Sequence, residues 1–91
     1  MALSSIEYKE RMLEFDEDLS DVAADLYWAT TEKPSGQKRA ALVAAGKRKL
    51  AAFDALLTVV SPAQRPEVQK RFGDKITDIR GFLRTLEGGE A

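Results

Sequence analysis

Apolar residues recur along the first third of the chain at alternating spacings of four and three residues. They form one stripe: Tyr8, Met12, Phe15, Leu19, Val22 and Leu26. This spacing places the side chains on one face of an α-helix. Ser4 and Glu7 have the spacing of a capping box, and Pro34 disfavours helical geometry at the residue before it. The pattern therefore predicts a first helix over about residues 5–31.

The same spacing appears twice more. The second stripe predicts a helix over about residues 35–60, and it comprises Leu42, Val43, Gly46, Leu50, Phe53, Leu57 and Val60. The third predicts a helix over about residues 62–87, and it comprises Val68, Phe72, Ile76, Ile79, Leu83 and Leu86. Ser35 is suited to cap the second helix, and Ser61 with Gln64 to cap the third. Pro66 favours a regular third helix that begins nearer Arg65, and residues 88–91 form a short tail.

Three amphipathic helices with two short links predict an all-α fold. Short links favour antiparallel neighbours, so we expect an up-down-up three-helix bundle with long helices. A chain of 91 residues is too short for two separate cores, and we expect a single domain over residues 1–91. No run of alternating apolar residues bounded by turns competes with this interpretation.

The composition removes several kinds of chemistry. The chain has no cysteine and no histidine. It therefore lacks disulfides, thiolate zinc sites, the commonest general base and the commonest metal ligand. We expect no catalytic residue, no metal and no cofactor. The N-terminal residues do not resemble a signal peptide, and the longest apolar run is far shorter than the ~20 residues that span a bilayer. We expect a cytoplasmic protein that does not insert into membranes.

Charge is distributed unevenly along the chain, although the net charge is only −1. Residues 1–32 carry nine acidic and two basic side chains, whereas residues 33–60 carry six basic and one acidic. At about 100° per residue, seven acids of the first helix fall within an arc of about 100°. We call these seven the acidic ribbon: Glu7, Glu10, Glu14, Glu17, Asp18, Asp21 and Asp25. Trp28 projects from the same side of the helix.

The acidic ribbon has two explanations. It faces the basic second helix or solvent, as most charged stripes do, or it recognises a basic protein partner with Trp28 as a buried anchor. The second explanation predicts a small non-enzymatic interaction protein, such as a regulator, adaptor or inhibitor. Because aligned carboxylates imitate phosphates, a nucleic-acid mimic that inhibits a DNA- or RNA-processing complex is a specific version of this hypothesis.

A second apolar series on the first helix lies well away from its main stripe. Ile6, Leu13 and Tyr27 are seven or fourteen residues apart, with Ala23 alongside. Because each helix of a three-helix bundle contacts two neighbours, a widened core face is the expected explanation. The alternative is a surface for a partner or for a second copy of the chain in a homodimer.

Two other functions compete with partner binding. A nucleic-acid-binding protein would use basic residues of the second and third helices: Lys47, Arg48, Lys49, Lys70 and Arg71. More distantly, the acids of Glu14-x-x-Glu17 and Asp18-x-x-Asp21 resemble the paired acids of all-α nucleotide pyrophosphohydrolases. That resemblance would imply a metal-dependent nucleotide hydrolase, whose site also needs a second acidic helix facing the first.

Overall fold

The computed structural model describes residues 3–88 and contains three helices in that range, with no strand. They are α1 (Ser5–Glu32), α2 (Gly36–Val59) and α3 (Arg65–Gly88), and each packs against the other two. The hydroxyl of Tyr8, near the start of α1, donates to Glu67 near the start of α3. Tyr27, near the end of α1, contacts Phe82. α1 and α3 are therefore parallel and α2 runs between them in the opposite direction, which confirms the all-α, up-down-up three-helix bundle.

The ends of α1 follow the local chemistry that its sequence predicts. The Ser4 backbone N–H donates to Glu7 Oε1 at 3.0 Å, and the Glu7 N–H donates to Ser4 Oγ at 3.2 Å, which forms the capping box. Lys33 adopts the left-handed conformation with φ 54° and ends α1 directly before Pro34. Ser35 occupies the N-cap position of α2, but its side chain makes no capping hydrogen bond.

α3 begins at Arg65, three residues after the approximate bound of 62 and at the position where Pro66 predicts that its regular part starts. The capping contacts of Ser61 are present, since its backbone N–H donates to Gln64 Oε1 at 3.0 Å. Residues 62–64 nevertheless form a turn. Pro66 has no N–H with which to continue the helical hydrogen bonds back into this turn. From Arg65 onward, α3 is continuous through Gly73 and Gly81.

The core lies along the axis where the three helices meet. Near one end, Phe15 packs against Phe53 and Phe72, with ring centroids 6.1 and 5.0 Å away. All six residues of the predicted α3 stripe are buried. On α2, the structure buries Leu56 instead of the predicted Leu57, which is only half-buried. The apolar face of α2 is broad, so periodicity alone does not distinguish these two adjacent leucines.

At Gly46, side chains of both neighbouring helices lie against the backbone of α2. A Cβ atom at this position would lie 2.9 Å from Leu26 Cδ1 and 2.9 Å from Leu83 Cδ2. Gly46→Leu is therefore expected to lower the free energy of unfolding by about 1–3 kcal/mol, measured by urea denaturation, because the extra atoms overpack the core. Gly81→Ala, a smaller substitution on α3, is the control, since no atom lies within 4 Å of its new Cβ.

The control should raise the free energy of unfolding by up to about 1 kcal/mol, because alanine favours helix over glycine. Wild-type stability in Gly46→Leu would show that the helices do not approach each other this closely.

Candidate partner-binding surface

The acidic ribbon lies on an uninterrupted helix, and all seven of its residues are exposed. Between residues 3 and 88, only Asp18 of the seven forms an ion pair, with Lys49 Nζ at 3.2 Å. Pairing with the basic second helix therefore accounts for one member of the ribbon. Most of the carboxylates face solvent, at spacings of three and four residues where like charges repel by a few tenths of a kcal/mol per pair.

Two hydrogen bonds at the start of α1 change the acidity of the groups involved. The Ser4 backbone N–H that donates to the Glu7 carboxylate lowers the pKa of Glu7. The Glu67 carboxylate accepts from the Tyr8 hydroxyl at 2.6 Å and raises the pKa of Tyr8. Glu7 is thus charged and already engaged in capping α1, so the solvent-facing part of the acidic ribbon begins at Glu10.

The second apolar series does not widen the core. Ile6, Leu13 and Tyr27 are 71%, 62% and 62% exposed, and the prediction of a widened core face is wrong for all three. Only Ala23, which lies alongside them, packs partly against the core. We call Ile6, Leu13 and Tyr27 the apolar row.

An ion-pair cluster lies between α1 and α3, next to the apolar row at Leu13. Asp16 Oδ1 lies 3.5 Å from Lys75 Nζ, and Asp16 Oδ2 lies 3.9 Å from Arg71. These charged groups line the edge between α1 and α3, so the core ends before it reaches Leu13. The sequence predicts the periodicity of both helices but not their rotation about their axes, on which this boundary depends.

The apolar row lies on the side of α1 nearer α3. Leu13 lines a shallow groove of about 460 Å³ together with Lys9 and Arg71. Farther along α1, the Ser20 hydroxyl accepts a hydrogen bond from Lys75 Nζ at 2.7 Å. At the far end, the Tyr27 ring lies 6.0 Å from the ring of the half-buried Phe82. The edge of α3 therefore borders the apolar row from Leu13 to Tyr27.

Trp28 lies on the other side of α1, nearer α2. Its side chain is 42% exposed, and the ammonium group of Lys38 lies 4.8 Å from the ring centroid. The chain between α1 and α2 is short, which brings the first turn of α2 against the last turn of α1. Sequence reasoning missed this cation–π contact. A partner that buries Trp28 would have to use its open edge or displace Lys38.

The five basic residues of the nucleic-acid alternative do not converge on one surface. Lys47 pairs with Glu87 of α3 at 2.6 Å, in the groove between α2 and α3. Lys49 pairs with Asp18 between α1 and α2, and Arg71 with Asp16 between α1 and α3. The remaining two, Arg48 and Lys70, are exposed. The structure thus distributes three of the five cations among three different grooves.

Lys49 has a structural role that sequence reasoning also missed. Its side chain is only 23% exposed, and its ammonium group lies 5.7 Å from the Phe15 ring centroid as well as beside Asp18. Its position contained the signal, because Lys49 follows Gly46 by three residues and precedes Phe53 by four. It therefore belongs to the core-facing stripe of α2, with its aliphatic stem inside and its charge at the surface.

The described part of the chain has neither a metal-binding cluster nor a membrane-spanning helix. Within residues 3–88, no group of three or more Asp, Glu, His or Cys side chains is arranged to hold a metal ion. The hydrolase alternative requires such a group. None of the three helices, over the same range, is long and apolar enough to cross a membrane. Comparison with protein-family models, curated protein sequences and solved structures gave no match.

Proposed function

We propose that this chain is a small non-enzymatic interaction protein, acting as a regulator, adaptor or inhibitor. In this proposal it binds a protein partner with a basic surface through the outer face of α1. One observation carries the proposal: within residues 3–88, every large hydrophobic side chain that is exposed belongs to α1. These are Ile6, Leu13, Tyr27 and Trp28. They lie beside carboxylates that face solvent, so apolar and acidic groups share one surface.

This combination suits recognition better than solubility. A solubilising face has no need of large exposed hydrophobic groups, which gain free energy when a partner removes them from water. A row of carboxylates attracts a basic partner over distance and speeds the encounter, and aromatic side chains then supply the buried contacts. A basic partner would also relieve the repulsion among the carboxylates. The two halves of the surface thus contribute to association in different ways.

A nucleic-acid mimic is the specific version of this proposal that the ribbon supports. Without Glu7 and Asp18, which are already engaged, the five remaining ribbon carboxylates from Glu10 to Asp25 span about 22 Å at 1.5 Å per residue, or one charge per about 5–6 Å. One strand of DNA carries a charge per about 3.4 Å of helix axis. The spacing is close enough for a protein that binds DNA or RNA phosphates to accept the ribbon in their place. The proposal places this inhibition in the cytoplasm.

Affinity capture from a nuclease-treated lysate of the source organism tests the proposed function. The ribbon variant carries Glu10→Gln, Glu14→Gln, Glu17→Gln and Asp21→Asn. The control variant removes exposed acids from the other two helices and carries Asp54→Asn, Asp74→Asn and Asp78→Asn. The wild-type protein and the control variant should capture the same partner, and the ribbon variant should not capture it. Salt of about 0.5 M should release the captured partner, because it screens the charges of the ribbon.

Nuclease treatment removes nucleic acid, so that proteins bound only to DNA or RNA on Lys47, Arg48 and Lys70 are not captured. Equal capture of the partner by wild type and by the ribbon variant would contradict the proposed function.

A further inference from the structure

The apolar row repeats at intervals that suit contact with another helix. Ile6, Leu13 and Tyr27 lie at steps of seven or fourteen residues, with Ser20 at the intervening step. A straight α-helix drifts by about 20° per seven residues, so such a row stays in contact only with a partner that coils around it in the left-handed sense. A second helix can follow such a row, as one does in a coiled coil, although the row has one apolar position per seven residues and a coiled coil has two. At 1.5 Å per residue, the row from Ile6 to Tyr27 is about 32 Å long.

The charges on the two sides of the row differ. On the side away from α3 lie carboxylates of the acidic ribbon that have no ion pair within residues 3–88, among them Glu10, Glu14 and Glu17. On the side of α3 lie Arg71 and Lys75, whose charges are shared with Asp16. A helix seated on the row would therefore need basic residues along one edge only. Its other edge would meet a border that is nearly neutral or slightly positive.

This charge pattern selects among possible occupants. A second copy that packed its own α1 against this one would bring two acidic ribbons together, and the repulsion would oppose such a dimer. Nucleic acid and anionic lipid carry the same sign of charge as the ribbon and would also be repelled. A basic amphipathic helix matches both the apolar row and the ribbon, because its apolar face and its cationic edge run side by side.

We propose that the partner docks on α1 as a single amphipathic helix at least about 20 residues long. Its apolar residues pack on Ile6, Leu13 and Tyr27, and its Lys or Arg residues lie over Glu10, Glu14 and Glu17. At the Tyr27 end of the row, the half-buried Phe82 adds apolar surface. Toward the Ile6 end, the groove beside Leu13 accepts a side chain of the docked helix. This inference rests on the proposed function and specifies the kind of partner.

A designed peptide tests whether the row accepts such a helix. The probe is a fluorescein-labelled peptide of about three heptads, with leucine at the core-facing heptad positions and lysine along one edge. Two control peptides are used: one has the same composition in an order that forms no apolar face, and the other has glutamate in place of lysine. Fluorescence anisotropy should show that the wild-type protein binds the probe at least about tenfold more tightly than either control.

Variants of the protein locate the binding site. Leu13→Ser with Tyr27→Ser should weaken probe binding at least about tenfold while the melting temperature stays close to that of wild type, since both side chains are exposed. Ala51→Ser, on the exposed face of α2, is the control and should leave probe binding unchanged. Undiminished binding of the probe by the double variant would overturn the inference.

The same double variant separates this inference from the proposed function in a capture experiment. Loss of the captured partner in both the ribbon variant and the Leu13→Ser, Tyr27→Ser variant supports both proposals. Loss in the ribbon variant alone would leave the proposed function intact and overturn the docked helix. Light scattering tests self-association. If the wild-type protein is a homodimer and the double variant is a monomer, a second copy of the chain occupies the row, and the inference is overturned.

Discussion

Leu19→Ala is expected to lower the free energy of unfolding by about 2–5 kcal/mol. Leu19 is fully buried on α1, between the Phe15 and Val22 positions of the same stripe. Truncating it removes buried methyl groups and leaves a cavity that the surrounding helices fill only in part. In a domain of this size each kcal/mol corresponds to about 4–8 °C in melting temperature. Urea denaturation followed by far-UV circular dichroism measures the loss directly.

Leu13→Ala is the matched control, because it makes the same chemical change on the same helix six residues away. Leu13 is 62% exposed, so its truncation should change the free energy of unfolding by no more than about 0.5 kcal/mol. Ile79→Ala on α3, where the side chain is fully buried, should repeat the large effect. Similar values for Leu19→Ala and Leu13→Ala would mean that the assignment of the inner and outer faces of α1 is wrong.

The second large effect is expected in the rate of partner binding. Removing four charges of the acidic ribbon, as Glu10→Gln, Glu14→Gln, Glu17→Gln and Asp21→Asn, should slow association with the captured partner about tenfold or more at low ionic strength. The same variant should have an unchanged or higher melting temperature, because like charges three and four residues apart no longer repel. Surface plasmon resonance at two salt concentrations and thermal melting provide the two measurements.

Two single substitutions distinguish the unpaired carboxylates of the ribbon from Asp18, which forms an ion pair, and from Trp28. Asp18→Asn removes the ion pair with Lys49 and should slightly lower the melting temperature, by the modest amount that ion pairs near the surface contribute. Trp28→Ala should act mainly on the dissociation rate, since a partly exposed aromatic ring contributes contact area and not long-range attraction. A drop of several degrees in the four-residue variant would instead show that the ribbon stabilises the bundle internally.

The candidate surface could be predicted only in part from the sequence. The acidic ribbon and Trp28 were evident from the periodicity of α1, because residues on one face of a helix are fixed by spacing alone. The exposure of the apolar row was not evident. Leu13 and Tyr27 are residue types that usually lie in a core. Their exposure depends on how α1 is rotated against α3, a helix far away in the sequence that meets α1 through Asp16, Arg71 and Lys75.

The basic residues illustrate the same division. Their number in α2 was readable from the sequence, and it suggested either a nucleic-acid surface or a counterpart to the acidic ribbon. Lys47 and Lys49 are two residues apart, so they point to different sides of α2 and meet Glu87 and Asp18 on different helices. Which acid each lysine meets follows from the arrangement of all three helices. No local pattern contains that information.

The sequence by itself determined the three helices, the capping box at Ser4, the stop before Pro34 and the six core positions of α3. These depend on backbone geometry and on contacts within a few residues, which local sequence specifies. Only the tertiary structure decided that Leu56 is buried in place of Leu57, that Lys38 covers Trp28 and that the apolar row faces solvent. Each of those outcomes depends on how far a helix is rotated about its axis, and that rotation is set by packing against both neighbours at once.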